Sequence, residues 1–251
     1  MAGRVVSVRL VKQADGVGLL EMRDEPGRNA MSLAFVEALS DALGEAAAWR
    51  EGRAIVLRGL PDVFSSGADR ATLLALARGD LSPTDILLPK LVLDLPIPIV
   101  AAVEGHAIGG GLALAFACDL VILARESRYG ASFMNMGITP GMGTTRLLEW
   151  ALSPAVVAEL LFTGEPKRGR DLEGKASVNG ILPKGEVLPR ALALAERMAE
   201  KPREALELLK RTLSLPRRRA FEETITLESL MHRIAFRAPD VLAGIQENHA
   251  E

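Results

Sequence analysis

The chain has 251 residues, 49% of them apolar, enough to bury one large core without disulfide or metal staples. Its 30 Lys and Arg against 32 Asp and Glu leave a net charge of −2, which gives no footprint for nucleic acid or an anionic membrane and makes small-molecule chemistry the default. The single cysteine, Cys118, fits a reducing, cytoplasmic setting, and neither an apolar leader after Met1-Ala2-Gly3-Arg4 nor the roughly 20 apolar residues that span a bilayer can be found.

Apolar, β-branched runs predict strands over 5–12 and 17–22, then a helix over 33–48 and a strand over 54–58. A helix over 67–78, a strand over 99–103, a helix over 110–118 and a strand over 120–124 follow. Strands separated by helix-length segments require crossover connections and sheets covered by helices, so the fold class is α/β. Past residue 150 the strand signal fades and the chain reads as helical, beginning with Ser153-Pro154 as N-cap and first helical residue. Another helix starts at Lys201-Pro202-Arg203-Glu204, carries Glu207 and Arg211 at i,i+4, and is expected to end at Leu215-Pro216. A last amphipathic segment covers 220–237, and the helical tail is expected to fold over the core or embrace a neighbouring subunit. Arg217-Arg218-Arg219 reads as a solvated helix start, with contact to an acidic partner as the alternative.

Two glycine-bearing segments carry the chemistry. In Phe64-Ser65-Ser66-Gly67-Ala68-Asp69 and Gly105-His106-Ala107-Ile108-Gly109-Gly110-Gly111, glycine permits a turn that offers a backbone N–H to an approaching oxygen. The amide after Gly67 and one in the 109–111 turn are expected to polarise a single carbonyl, that of a thioester, and so to stabilise an enolate. The run Leu112-Ala113-Leu114-Ala115-Phe116-Ala117 after the second turn supplies neither acid nor base. No Cys/His cluster has metal-ligand spacing, and the triple glycine lacks the residues of a phosphate loop and the spacing of a dinucleotide fingerprint, so no metal and no redox cofactor is expected. His106 is read as bracing its own loop and His249 as part of a frayed tail.

Together with Gly137-Ile138-Thr139-Pro140-Gly141-Met142-Gly143, these motifs resemble the crotonase (enoyl-CoA hydratase/isomerase) superfamily along nearly the whole chain. The resemblance implies oxyanion-hole amides on Ala68 and Gly110, and a spiral of ββα units over 1–190. It further implies a helical trimerisation region over 191–251 and a homotrimer or dimer of trimers. The two glutamates of the hydratases fall at Ala113 and Phe133, which move no protons, and loss of one acid–base partner forfeits about 10²–10⁴ in rate. Decarboxylation escapes this requirement, because CO₂ loss generates the enolate without prior C–H abstraction. The dehalogenase branch needs an aspartate near Thr139-Pro140-Gly141, and none is there.

Finer likeness, in Ala124 to Tyr129, Phe133-Met134, Glu200-Lys201-Pro202-Arg203 and Leu230-Met231-His232, is to polyketide β-branching decarboxylases. By that resemblance the substrate is a 3-methylglutaconyl group on an acyl carrier protein, converted to a 3-methylcrotonyl group. His232 falls on a family histidine and becomes the candidate proton donor or carboxylate-orienting group. The family lysine aligns with Ser82, so Lys90 is the substitute candidate, with a solvated surface lysine as its bland reading. Gly67, Phe133, Met134 and Met142 are expected to bind the acyl group, with Met136 nearby. Two alternatives remain: an acyl-thioester double-bond isomerase, using an acid such as Glu149, and a catalytically silent crotonase-fold binding protein.

Overall fold

Strands buried on both faces need apolar side chains at every position, and the central runs of this sequence have them. The computed structural model describes residues 6–13, 15–238 and 240–248; the expected strand start at residue 5 and His249 lie outside the described residues. The first sheet takes β1 (Ser7–Lys12), β2 (Val17–Arg23), β3 (Ala54–Arg58), β5 (Ile99–Val103), β7 (Leu120–Ala124) and β10 (Gly180–Leu182), in that spatial order. Only β1 and β2 pair antiparallel; every later neighbour is parallel.

The second sheet, β4 (Val63–Ser65), β6 (His106–Ile108), β8 (Arg128–Gly130) and β9 (Lys167–Arg168), escaped the sequence reading because its strands have three residues or fewer. Such pieces are too short to show an alternation. Successive pairs β3/β4, β5/β6 and β7/β8 each place one strand in either sheet, so the chain climbs as a spiral of ββα units.

The helices are α1 (Leu33–Ala48), α2 (Arg70–Arg78), α3 (Leu88–Asp94), α4 (Gly110–Ala117), α5 (Thr144–Ala151), α6 (Pro154–Thr163), α7 (Lys184–Ala199), α8 (Arg203–Ala235) and α9 (Val241–Asn248). Period-2 alternation divides the first sheet between two cores. Ala54, Val56, Val100, Ala102 and Ile122 pack on Val187, Ala191 and Ala195 of α7. Ile55, Leu57, Ile99, Ala101 and Leu123 face α1, α3 and α4. Residue 190 lies within α7, so the boundary drawn from the sequence cuts a continuous helix. All of Gly110–Ala117 is buried, and α4 runs through the core with no polar face. Cys118, buried behind it, has its thiol pushed up to about 12 by desolvation.

The expected helix end at Leu215-Pro216 is incorrect, because α8 runs for 33 residues with Pro216 inside it. An interior proline costs about 3 kcal/mol, and tertiary anchors on both sides offset that cost. Buried Lys210 pairs with Asp119 at 2.8 Å and donates to Ile97 O at 3.0 Å. Arg217 binds the other Asp119 oxygen at 2.9 Å and Cys118 O at 2.8 Å. Arg217 is therefore no solvated helix start: it closes the C-terminal end of α4, where carbonyls need donors. Arg218 pairs with Asp94.

Candidate active site

The first glycine turn leaves β4 and is held by the 24–31 loop. Asn29, fully buried, donates from Nδ2 to Met22 O (3.1 Å) and Phe64 O (3.0 Å), while its Oδ1 accepts from Asp24 N (2.8 Å). Ser65 Oγ donates to Asn29 O at 2.8 Å and accepts from Gly67 N at 3.3 Å. Met31 N reaches Gly67 O at 2.8 Å. These bonds engage the groups on either side of Ala68 N. Gly67 has φ +85°, in the left-handed region, and a Cβ built on it would stand 2.9 Å from Ile108 O and 3.7 Å from Gly110 N. Only glycine lets the two turns approach this closely.

The second turn leaves β6. Gly109 N donates to Gly130 O at 2.8 Å, and Gly109, at φ +54°, opens α4. The Gly110 amide thus stands at the N-terminal end of a helix, where backbone N–H groups lack intrahelical acceptors. Among the described residues, neither Ala68 N nor Gly110 N donates to a protein acceptor. Both residues line one cavity of about 660 Å³. Two unengaged amides on neighbouring turns are the groups that an oxyanion hole requires.

The same cavity is lined by Gly67, Phe133, Met136, Met142 and His232, but not by Met134 or Lys90. Met134 is instead exposed, at 45%. Residues 132–136 form a 3-10 turn, whose three-residue repeat puts 133 and 136 on one face and 134 on another. On α3 the buried positions are Leu88, Pro89, Val92 and Leu93, and Lys90 lies on the opposite side, paired with Asp94. Ser82, where the family lysine was expected, caps the 3-10 turn Pro83–Asp85. Lys90 therefore has the surface role that was its bland reading. Glu149 pairs with Arg146 on the exposed side of α5, outside the cavity. Ala113 is wholly buried in α4. His106 accepts Arg128 N at its Nδ1, bracing β6 against β8 as expected.

His232, 6% exposed, enters the cavity from α8. Its Nε2 lies 2.8 Å from Thr139 O; a carbonyl only accepts, so Nε2 carries the proton. Nδ1 is buried with no protein partner, so its hydrogen-bonding capacity is unused. The ring packs on Gly141, where a Cβ would lie 2.6 Å from Cε1, and edge-on to Phe236 at 5.2 Å. Burial holds the imidazole below its ordinary value, while the Thr139 and Pro140 carbonyls act weakly the other way. At neutral pH the free site thus holds a neutral ring.

One helical turn before His232, Glu228 is buried and accepts from Gly143 N (2.7 Å), Thr145 N (3.1 Å) and Thr145 Oγ1 (2.8 Å). Desolvation raises its pKa, and these three donors oppose the shift. The sequence gives no sign of this residue, because a lone acid in an amphipathic segment looks like solvated surface. Sequence reasoning also missed Arg28 and Arg70, which line the cavity. The cavity wall has one carboxylate among the described residues, Asp69, whose Oδ1 caps α2 by accepting Thr72 N at 2.8 Å. No second carboxylate stands beside it to complete an acid–base pair.

This fold and this hole define a crotonase-type enzyme scaffold. The enoyl-CoA hydratase/isomerase family model matches residues 12–249, and the chain belongs to that family. Bacillaene synthase decarboxylase PksI of Bacillus subtilis is 36% identical over 95% of this chain and 96% of its own. A solved structure from a dehydratase/decarboxylase enzyme couple involved in polyketide β-branching superposes with a TM-score of 0.93 at 35% identity, covering 97% of this chain and 99% of its own. The ECH2 decarboxylase domain of CurF from Lyngbya majuscula gives 0.90 at 34% identity, over 97% and 100%.

Proposed function

We propose that this protein is a decarboxylase that converts a 3-methylglutaconyl-type thioester on an acyl carrier protein into a 3-methylcrotonyl-type thioester. One observation carries the reading: two unengaged amides share a cavity with a buried histidine and with no carboxylate pair. An oxyanion hole without an acid–base pair suits a reaction whose leaving group is CO₂. The decarboxylases among its relatives, similar over nearly their whole length, support the same chemistry.

In this mechanism the thioester oxygen accepts from Ala68 N and Gly110 N. The bond between the distal carboxylate and its CH₂ carbon breaks, CO₂ departs, and the electron pair moves through the conjugated double bond onto that oxygen. The resulting dienolate is neutralised by one proton delivered to the former CH₂ carbon. His232 supplies it from Nδ1, the nitrogen left open by the Nε2–Thr139 bond. An arriving substrate carboxylate favours the imidazolium that holds this proton, because an opposite charge nearby stabilises a charged acid. Phe133 and Met142 enclose the acyl group, and Gly67 holds the first turn open. A double-bond isomerase would have to lift a C–H proton before returning it, a step that CO₂ loss replaces in the decarboxylase. The exposed apolar positions Leu209, Leu213, Leu227, Leu230 and Ile234 on α8 support a trimer interface, to be tested by light scattering.

The deciding experiment incubates the protein with 3-methylglutaconyl carrier protein and follows the carrier by intact mass spectrometry. The expected result is loss of one CO₂ per carrier. An unchanged mass from a carrier shown to bind would refute the decarboxylase.

A further inference from the structure

Met142 holds φ +62°, a left-handed backbone that few residues besides glycine and asparagine adopt, and it does so between Gly141 and Gly143. A third glycine would relieve the strain, so a methionine kept here points to work done by its side chain. That side chain reaches the second glycine turn: a Cβ built on Gly110 would stand 2.5 Å from Met142 Sδ and 3.4 Å from its Cε. Met31 Sδ lies against the same glycine, 2.9 Å from that Cβ position, but Met31 is fully buried and off the cavity wall, whereas Met142 is half-buried and lines the cavity. At its backbone end Met142 adjoins Gly141, on which the His232 ring packs. One residue thus spans the interval from the histidine to the Gly110 turn.

We propose that Met142 is the specificity-determining residue for the branch of the acyl group: its thioether and terminal methyl form the seat that takes the methyl group on C3. The assignment rests on the thioester reading of the site. In that reading C1 lies at the Ala68 and Gly110 amides, and C4, the carbon that loses CO₂, lies at His232 Nδ1. C2 and C3 then cross the interval that Met142 lines, and C3 carries the one substituent off the chain. An unbranched thioether suits the position, because a β-branched side chain would not accept this backbone and a polarisable sulfur packs closely against a methyl group. Phe133 approaches the same turn at Gly109, with Cζ 3.6 Å from the Cβ position there, and is the competing candidate.

The test uses the full chain and two flat thioesters that differ by the branch methyl alone, 3-methylcrotonyl-pantetheine and crotonyl-pantetheine, titrated by calorimetry. Neither has a carboxylate to lose. The wild type is expected to bind the branched thioester about tenfold more tightly, the discrimination that one methyl group gives in an apolar pocket. Met142→Gly removes the seat, and Met142→Asn replaces it with a polar side chain that tolerates the left-handed backbone; both are expected to bind the two thioesters within about twofold of each other. Met142→Leu, apolar and similar in volume, should keep most of the preference, which separates a lost seat from a disturbed loop. Equal binding of the two thioesters by the wild type, or a preference that survives in Met142→Gly and Met142→Asn, overturns the proposal. So does a preference that Phe133→Leu abolishes and Met142→Gly retains.

Turnover separates this seat from the reading beneath it. Carriers loaded with 3-methylglutaconyl and with glutaconyl groups compete in one reaction, and intact mass follows CO₂ loss from each. The wild type should favour the branched carrier about tenfold in kcat/KM, and Met142→Gly should narrow that ratio. Equal loss of CO₂ from both carriers by the wild type leaves the decarboxylase standing and removes the seat. A branch preference in binding that Met142→Gly abolishes, without CO₂ loss from either carrier, upholds the seat and removes the decarboxylase.

Discussion

Replacing Gly67 by alanine tests the oxyanion hole at its tightest point. The new Cβ would stand 2.9 Å from Ile108 O, where ordinary contact begins at 3.4 Å, so the two turns must part by about half an ångström. The residue also keeps φ +85°, which costs an L-residue about 1–2 kcal/mol. With the steric term, a stability loss of about 1–3 kcal/mol follows, or roughly 2–10 °C in Tm for a chain of this size. The turn that moves carries Ala68 N, so the catalytic loss approaches that of deleting one donor, about 10²–10³ in kcat. Gly110→Ala is the control: its Cβ would meet the sulfur atoms of Met142 and Met31, side-chain atoms that can swing aside, so it should cost less stability. The assay pairs carrier mass spectrometry with thermal melts. A Gly67→Ala protein with wild-type turnover and Tm would show that Ala68 N does not serve the reacting oxygen.

Five further outcomes are expected. His232→Ala should fold and lose about 10²–10⁴ in turnover; unimpaired CO₂ loss would remove the ring from the mechanism. Because burial holds His232 below 6.5, kcat/KM should fall as pH rises through a midpoint under that value, while kcat falls at a higher pH once a bound carboxylate favours the imidazolium; coincident midpoints would contradict substrate-assisted protonation. The same ring makes stability drop on acidification, since the unfolded chain takes up its proton first as pH falls through 6.5 and the native ring resists it to a lower pH. Glu228→Gln replaces one of the two carboxylate oxygens that accept from Gly143 and Thr145 by an NH2 group, which sets donor against donor, and should cost about 1–3 kcal/mol in chemical denaturation, with kcat falling more than affinity because Gly141 and Met142 shift; an unchanged kcat would show that this loop does not set His232. Asp119→Asn leaves Lys210 buried without its counter-charge, and urea melts should register a loss of about 3–5 kcal/mol; a loss under 1 kcal/mol would show that Lys210 sheds its proton freely.

The sequence exposes those parts of the structure whose physics is local. Central strands announce themselves as apolar runs because helices cover both faces, and α1 shows its buried stripe of Phe35, Leu39, Leu43 and Ala46 at helical spacing. The glycine turns are legible because few other residues tolerate a left-handed backbone. What stays hidden depends on distant partners. Three-residue strands exist only by pairing with one another, and Pro216 signals a helix end that Asp119, nearly a hundred positions away, overrules. Met134 and Met136 look equivalent until a 3-10 turn selects one of them. Lys90 shows the limit of elimination: it was the one lysine in its region, and helical phase turned it away from the site.

Register explains why two turns distant in sequence open onto one cavity. The strands β4 and β6 pair in parallel, Val63 opposite His106 and Ser65 opposite Ala107, so the segments leaving them emerge side by side and present Ala68 N and Gly110 N to the same cavity. The second turn leads into α4, which is apolar throughout and brings no proton donor to the cavity. In the proposed mechanism the donor, His232, arrives on α8, and the anchors of that helix form a ladder. Lys210 and Arg217 clasp Asp119, Phe221 sits where a side chain on Gly143 would be, Glu228 holds the 143–145 amides, and His232 follows one turn later. Each rung fixes the rotation of α8 about its axis, which in the proposed mechanism decides whether Nδ1 faces the acyl group. Asp119→Asn should therefore slow catalysis even at temperatures where the protein stays folded, far from any atom that reacts.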